Sequence, residues 1–377
     1  MTNFEDIRPY NDDEVKPTIK RLLNDAGFID TISAFKLAGK PQWLRNLLRP
    51  LVKQRLNKEL GAINSVKDVQ TLCEKYVHRV IETTTTKLSF SGLEKLSADR
   101  PYFFISNHRD IVMDPALVNF ALYHHGLETP QLAIGDNLLQ KPFVSDLMRL
   151  NKSFIVKRSA AGVREKLQAF TDLSSYIHHA HSNGNSTWIA QKEGRAKDGV
   201  DSTDPAIIKM LYMSQRKSGL SFSEYMNWLQ IVPVSLSYEY NPCDLAISEE
   251  LHQKRSTGSY QKTEGEDIRS ITTGITGLKG DVHVAFGTPL AGNLDDAETV
   301  ATKIDEQVMQ EYRFHDSNHI AAELISTEAQ TLRDHPLSKQ KQAEFMARLD
   351  SCDEKMKDIF LAMYANPVLR RLENPPS

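Results

Sequence analysis

Through the first 84 residues, apolar side chains recur every three to four positions, the spacing that gathers them on one face of an α-helix. Lys16 to Ala26 carries Ile19, Leu22 and Leu23 on one face. Trp43, Leu44, Leu47, Leu48, Leu51 and Val52 form a second stripe, and Val66 to Ile81 a third, with Val69, Leu72, Tyr76 and Val80 in register. The period then changes. Thr83 to Ser91 (TTTTKLSFS) is β-rich, Gly92 marks a turn, and a second strand is predicted at 102–106.

Beyond this point strand and helix patterns alternate. The spacing predicts a helix over Asp114–Tyr123, with Asp114 as N-cap and Pro115 at the first helical position. A strand follows at Leu132–Ile134, a helix at Lys141–Leu150 and a strand at Phe154–Val156. Val163, Leu167, Phe170, Leu173 and Ile177 stripe another helix. Thr187–Ala190 reads as a strand and Asp204-Pro205 opens a further helix. Ile231–Tyr238 (IVPVSLSY) and Val282–Phe286 (VHVAF) are strands, the proline in the first suggesting a bulge or an edge. Ala297–Tyr312 is helical. Phe345, Leu349, Cys352, Met356, Ile359 and Met363 stripe one more segment, the terminal NPPS frays, and Lys254–Asp267 is a polar surface loop. The expected fold is α/β: a mixed, mainly parallel sheet flanked by helices, with a small N-terminal helical domain. The expected divisions are 1–84 (helical), 85–325 (α/β) and 326–377 (a helical extension).

Composition narrows this only a little. A chain of 377 residues has room for one large core and a smaller domain. Its net charge of −3 argues against a general nucleic-acid binder. The three cysteines, Cys73, Cys243 and Cys352, are scattered, which fits a reducing cytoplasm and no zinc knuckle. The acidic start MTNFEDIRPYNDDEV has no apolar signal-peptide core, and no run of about 18 apolar residues predicts a membrane span.

The chemistry concentrates in four places. In ISNHRDIVMDP (105–115) an apolar strand ends in Asn107 and His108, with Arg109, Asp110 and Asp114 close behind. That edge of an α/β sheet is where ligands bind. A histidine held by a carboxylate can take a proton from an alcohol near neutral pH. Asp114 has a competing reading as a helix cap, and Asp110 competes for the role of orienting the ring. FIVKR (154–158) ends a strand in Lys157 and Arg158. WIAQKEGRAKDG (188–199) follows a strand with Lys192, Glu193, Gly194, Arg195 and Lys197, and Arg195 could grip a phosphate or carboxylate through two hydrogen bonds. IVPVS (231–235) is the fourth. No G-x-x-x-x-G-K-[ST] or G-x-S-x-G pattern occurs, so neither a P-loop nor a serine-hydrolase elbow is expected.

In this order the four segments resemble the four blocks of the glycerophosphate and lysophosphatidate acyltransferase superfamily: N-H-x₄-D, F-I-x-R, E-G-x-R and V-P-V. SNH…DPA (106–116) and WIA…GR (188–195) are most similar to soluble, plastid-type glycerol-3-phosphate acyltransferases, which also carry a helical N-terminal domain. The E-G-R turn and Arg109 resemble the bacterial membrane-associated branch. One departure stands out: five residues, not four, separate His108 from Asp114. Matching from Asp-Pro-Ala makes Asp114 the family aspartate, with Asp110 as the substitute. The resemblance implies acyl transfer from acyl-CoA or an acyl carrier protein to glycerol 3-phosphate, or to a lysophospholipid, with no cofactor and no metal. His108 and Asp114 would be catalytic. Lys157, Arg158, Arg195 and Lys197 match the phosphate-binding positions, and Arg109, Asp110, Glu193 and Gly194 are further candidates.

Two features stand apart from those blocks. Lys36–Lys58 holds seven Lys or Arg and no acid among Trp43 and six leucines. It reads first as an ordinary amphipathic helix with a solvated basic face, broken near Pro50, and second as a docking face for an acidic carrier protein or an anionic bilayer. A cytoplasmic protein, peripheral on the inner face of the membrane, would fit the second reading. His124-His125 and His178-His179-His181 lack the partner spacing of a metal site. A rival outside enzymology is a non-catalytic lipid- or carrier-binding protein on the same fold.

Overall fold

The computed structural model describes residues 4–374 except 38 and 40, so most of the NPPS tail lies outside the described residues. The chain forms two compact units. The smaller comprises Met1–Tyr76 and Gln131–Tyr176, the larger Val77–Pro130 and Ile177–Ser377. Seven strands occur among the described residues: β1 Thr85–Ser91, β2 Phe103–Ser106, β3 Gln131–Gly135, β4 Ser153–Val156, β5 Thr187–Ala190, β6 Ile231–Tyr238 and β7 Gly280–Phe286. Together with the flanking helices they make the α/β fold expected, mainly parallel with one antiparallel pair, after an N-terminal helical region.

In the larger unit the strand order is β1-β7-β6-β2-β5. The β1·β7, β6·β2 and β2·β5 pairs are parallel and β6·β7 is antiparallel. All eight residues of β6 are buried, as for a strand covered on both faces. Pro233 therefore stands in a central strand, not at an edge. Its carbonyl accepts from the Gly287 N–H (2.8 Å), and the ladder to β7 begins one residue later at Val234. The N–H that proline lacks would be the return bond to Gly287, so its loss falls at the end of the ladder and not within it. The helix Ala297–Glu311, capped by the Asp296 carboxylate on the Thr299 N–H (2.7 Å), buries Val300, Ile304 and Val308. A second core gathers Ile320, Phe345, Phe360, Tyr364 and Val368 beneath the C-terminal helices.

Three local expectations are corrected. The polar stretch 254–267 is not one loop: a helix continues to Thr257 and another starts at Glu266, because Gly258 in the left-handed region ends the first and Gly265 precedes the second. The C-terminal stripe is not one segment either, since helices Lys339–Asp350 and Lys357–Glu373 are separated by a short 3₁₀ turn. The helix Gln42–Leu60 runs through Pro50 unbroken.

In the smaller unit the helices Asp12–Asn24, Ala26–Lys36, Gln42–Leu60 and Pro142–Leu150 bury Ile19, Leu22, Phe28, Leu56 and Phe143 in one cluster. Tyr10 ties the N-terminal segment to the last of these helices: its hydroxyl donates to Asp146 (2.7 Å) and Arg149 lies over its ring (4.4 Å). The parallel pair β3·β4 completes the unit.

Candidate active site

β2 delivers the chain into the site, and Asn107 fixes how it leaves the strand. The Asn107 amide acts as a false strand residue. Its Oδ1 accepts from the Leu236 N–H (2.8 Å) and its Nδ2 donates to the Leu236 carbonyl (2.9 Å), extending the β2·β6 pairing by one step. The next residue, His108, turns towards the helix Met113–His124.

The carboxylate of Asp114 is fully buried and accepts four hydrogen bonds. His108 Nδ1 (2.8 Å), the Arg109 N–H (2.6 Å) and the Asp110 N–H (2.9 Å) converge on Oδ2, and the Tyr238 hydroxyl (2.7 Å) donates to Oδ1. A carboxylate can only accept, so the shared proton sits on Nδ1 and Nε2 is left with a free lone pair. The His108 side chain is 15% exposed, enough for a small group to reach the ring. Trp188 of β5 lies edge-on to it, with centroids 6.4 Å apart, and anchors its own indole N–H on Ser106 Oγ (3.2 Å).

Asp114 does not cap its helix as the sequence suggested. The helix begins at Met113, and Asp110 Oδ1 takes the Val112 and Met113 N–H groups at 2.9 and 2.7 Å. The two carboxylates therefore divide the roles that sequence left open: Asp110 caps and Asp114 meets the imidazole. Burial, and then the nearby Asp114 charge, push the Asp110 carboxyl above its usual range. Burial also drives the Tyr238 phenol well up, keeping it a hydrogen-bond donor.

The side chain of Arg109, next to His108, is bonded to the turn after β5. Its guanidinium binds the Ala196 carbonyl (3.0 Å), the Gly199 carbonyl (3.3 Å) and Asp201 Oδ2 (2.6 Å), over the ring of Tyr312. Asp201 also accepts from Asn107 Nδ2 (3.1 Å), so one carboxylate grips the residues on both sides of His108. The backbone closes the same link, since the Ala196 N–H donates to the His108 carbonyl at 2.8 Å. Burial raises the pKa of Asp201 against the pull of Arg109.

The turn after β5 is thereby locked beside the histidine. Gly194 adopts φ +78°, a conformation that glycine tolerates best. Arg195 is half-buried, and its Nη1 is shielded from solvent with no hydrogen-bond partner among the described residues. Lys197 is committed elsewhere: its ammonium is clasped by both oxygens of buried Glu250. Gly199 passes so close to the helix Lys357–Glu373 that a Cβ would collide with the Met363 carbonyl oxygen. From that helix Asn366 donates to the Asp198 carbonyl (2.7 Å) and Arg370 to the Asp201 carbonyl.

Lys157 and Arg158 belong to the smaller unit. There Lys157 pairs with Asp6, and the Arg158 N–H donates to Asp136 (3.0 Å). His108, Arg109, Asp110, Asp114, Glu193, Gly194, Arg195 and Lys197 all belong to the larger one. Sequence reading missed Tyr238, Asp201 and Lys279. Lys279 is 1% exposed, donates to Thr84 Oγ1 (3.0 Å) and the Gly277 carbonyl (3.0 Å), and lines a small cavity with Asp110, Tyr238 and Tyr312. Burial brings its pKa down to about 8.

The comparisons with known proteins bear on this geometry. Residues 87–237 match the family described as Acyltransferase. This stretch, which holds His108, Asp114 and Arg195, is an acyltransferase-family domain. Among curated relatives, a glycerol-3-phosphate acyltransferase of Pseudoalteromonas translucida is 24% identical over 68% of this chain and 33% of its own length. A dihydroxyacetone phosphate acyltransferase of Bos taurus is 24% identical over 54% of this chain and 29% of its own. The chain thus spans about a third of the length of these relatives. Among solved structures, the 1-acyl-sn-glycerophosphate (LPA) acyltransferase PlsC of Thermotoga maritima aligns with a TM-score of 0.37 at 16% identity, covering 66% of this chain and 83% of that one. Among the described residues no helix is long and apolar enough to cross a membrane.

Proposed function

We propose that the protein transfers a fatty acyl group from an acyl thioester to a hydroxyl of glycerol 3-phosphate, with His108 as general base. The observation that carries this reading is the buried Asp114 carboxylate, which holds the Nδ1 proton and leaves Nε2 as the acceptor. Nε2 takes the proton of the attacking hydroxyl while its oxygen bonds to the thioester carbonyl carbon. The C–S bond then breaks and the leaving thiolate receives the proton from the imidazolium. Asp114, steadied by Tyr238 and two backbone N–H groups, stabilises the positive ring between these steps. General base catalysis of this kind contributes about 10²–10⁴-fold. No covalent enzyme intermediate is required.

Arg195 is the cation best disposed to take the acceptor's phosphate, since its Nη1 has no hydrogen-bond partner among the described residues and a guanidinium can bind phosphate through two parallel bonds. Lys197 serves instead to brace the turn through Glu250. The relatives' names favour a second acceptor of the same chemistry, dihydroxyacetone phosphate, which also offers a hydroxyl and a phosphate. The donor is acyl-CoA or acyl carrier protein.

The test is thioester consumption by the purified chain with glycerol 3-phosphate, dihydroxyacetone phosphate or lysophosphatidate, each with acyl-CoA and with acyl carrier protein. Product formation that falls by about 10²-fold or more in His108→Ala, with an unchanged unfolding midpoint, is the expected result. A His108→Ala variant with near-normal turnover would remove the base assignment. Absence of turnover with every pair would leave a binding protein on this fold.

A further inference from the structure

We propose that the outward side of the helix Gln42–Leu60 docks on an anionic bilayer surface. This surface belongs to the smaller unit, and the proposal does not rest on the chemistry above. The helix is apolar on two opposite sides. Towards the unit's interior, Leu56 is buried and Val52 and Leu60 pack on the core cluster. On the other side Trp43, Leu47 and Leu51 stand in line, four residues apart, at 68%, 65% and 60% exposure. A single exposed leucine needs no explanation, but a row of three large apolar side chains pointing into solvent does.

The charges around that row select the occupant. The helix carries Arg45, Arg49, Lys53, Arg55 and Lys58 against one acid, Glu59. Arg49 is paired with Asp30 (2.7 Å), and Glu59 is held by Lys36 (3.6 Å) and the Tyr76 hydroxyl (2.8 Å). Arg45 bonds neutral Gln42 (2.6 Å), so the surplus lies on Arg45, Lys53, Arg55 and Lys58, the last three at the end of the helix where the apolar row stops. A second copy of this chain would bring the same excess of cations to the contact and no free acid to answer it. An acidic protein would answer the cations but leave Trp43, Leu47 and Leu51 to be matched separately. A bilayer with anionic headgroups meets both demands at once: apolar side chains enter the acyl boundary, tryptophan sits at headgroup level, and Lys and Arg stems reach up to the phosphates.

The experiment is co-sedimentation of the whole chain with vesicles of phosphatidylglycerol mixed equally with phosphatidylcholine, and with phosphatidylcholine alone. Binding to the anionic vesicles is expected, weak on the neutral ones and released by about 1 M salt. Leu47→Ser with Leu51→Ser, and separately Lys53→Glu with Arg55→Glu and Lys58→Glu, should each lower the partition coefficient by about tenfold or more. Tryptophan emission should shift to the blue on anionic vesicles, and Trp43→Phe should abolish the shift. These side chains are exposed, so both multiple variants should keep their unfolding midpoints; should the serine pair unfold, the charge-reversal variant and the Trp43 signal still decide. Equal partition of wild type and variants would overturn the proposal. So would a wild type that ignores vesicles but is a dimer disrupted by the serine pair, or one that binds only an acidic carrier protein. Vesicle binding without acyl transfer leaves the proposal standing, and acyl transfer without vesicle binding sinks it.

Discussion

The loop at 107–114 and the turn at 192–201 touch, yet they use their polar atoms in opposite ways. Around His108 nearly every side-chain oxygen is engaged: Asn107 with Leu236, Asp110 with two helix N–H groups, Asp114 with four donors. In the turn, Arg195 Nη1 is buried with no hydrogen-bond partner among the described residues. Buried donors without acceptors are costly, and an anion from outside is one way to supply the acceptor. The first region holds the His108 ring by its Nδ1 and, among the described residues, leaves one buried side-chain atom, Arg109 Nε, without a partner. The second is unfinished in a way that suits an anion. A held imidazole and a guanidinium nitrogen still lacking an acceptor are the two halves that the proposed acyl transfer to a phosphate-bearing alcohol would use.

The contrast can be broken at its fixed end first. Asp114→Asn keeps the volume but turns one oxygen into a donor, opposing either His108 Nδ1–H or the backbone donors. We expect kcat to fall by about 10²–10⁴-fold, with a smaller loss for Tyr238→Phe, which removes one of the four bonds. Equal losses in the two variants, read by steady-state kinetics, would show that the carboxylate does not act through the ring. Next comes the open end. Arg195→Ala should raise KM for the phosphate acceptor by about 10–100-fold with little change in the unfolding midpoint, as expected for loss of a charge-assisted contact. Lys197→Ala should do the reverse. It leaves Glu250 buried beside Lys254 alone, and should cost about 1–3 kcal/mol in denaturant unfolding while KM moves little. If both variants change KM alike, the distinction between brace and ligand fails.

The smallest effect concerns pH. His315 is buried against Ser237 of β6 (3.3 Å), and burial pushes its pKa down to about 4, from an ordinary 6.5. As pH falls through 6.5, the unfolded chain binds the proton first, so stability is full above that pH and declines towards pH 4. The loss should reach about 1–3 kcal/mol from this group, and His315→Gln should flatten the pH dependence of the unfolding midpoint. Any acid-side fall in activity has to be corrected for this decline before it is assigned to His108.

Much of the frame was legible because it rests on local periodicity. Thr187–Ala190 and Ile231–Tyr238 coincide with the strands observed, and the helix after Asp204-Pro205 is capped by the Asp204 carboxylate on the Ala206 N–H (2.8 Å). Pro50 and Pro233 misled for opposite reasons. One is tolerated in a long helix, and the other sits where its missing N–H falls at the end of the ladder. At the site, the contact between His108 and Asp114 could be anticipated from residues six apart, because a single turn can close it. Tyr238 reaches the same carboxylate from 124 positions away and Asp201 reaches Arg109 from 92. No local pattern encodes such contacts. Sequence did leave a trace of Tyr238, which shares a strand face with Val234 and Leu236, but nothing marked its hydroxyl for Asp114. Lys197 looked as suitable for phosphate as Arg195, and only the fold supplies Glu250.

The grip of Arg370 on the Asp201 carbonyl has a temporal consequence. The two residues are 169 positions apart, so while the chain is being synthesised the turn beside His108 emerges long before its clamp. At about 5–20 residues per second, that interval is on the order of ten seconds. A nascent chain holding all of 87–237 would carry every family block and still lack the strap across 198–201. The helix Lys357–Glu373 therefore works as a late strap: the turn beside His108 is held in place only after residue 370 has emerged.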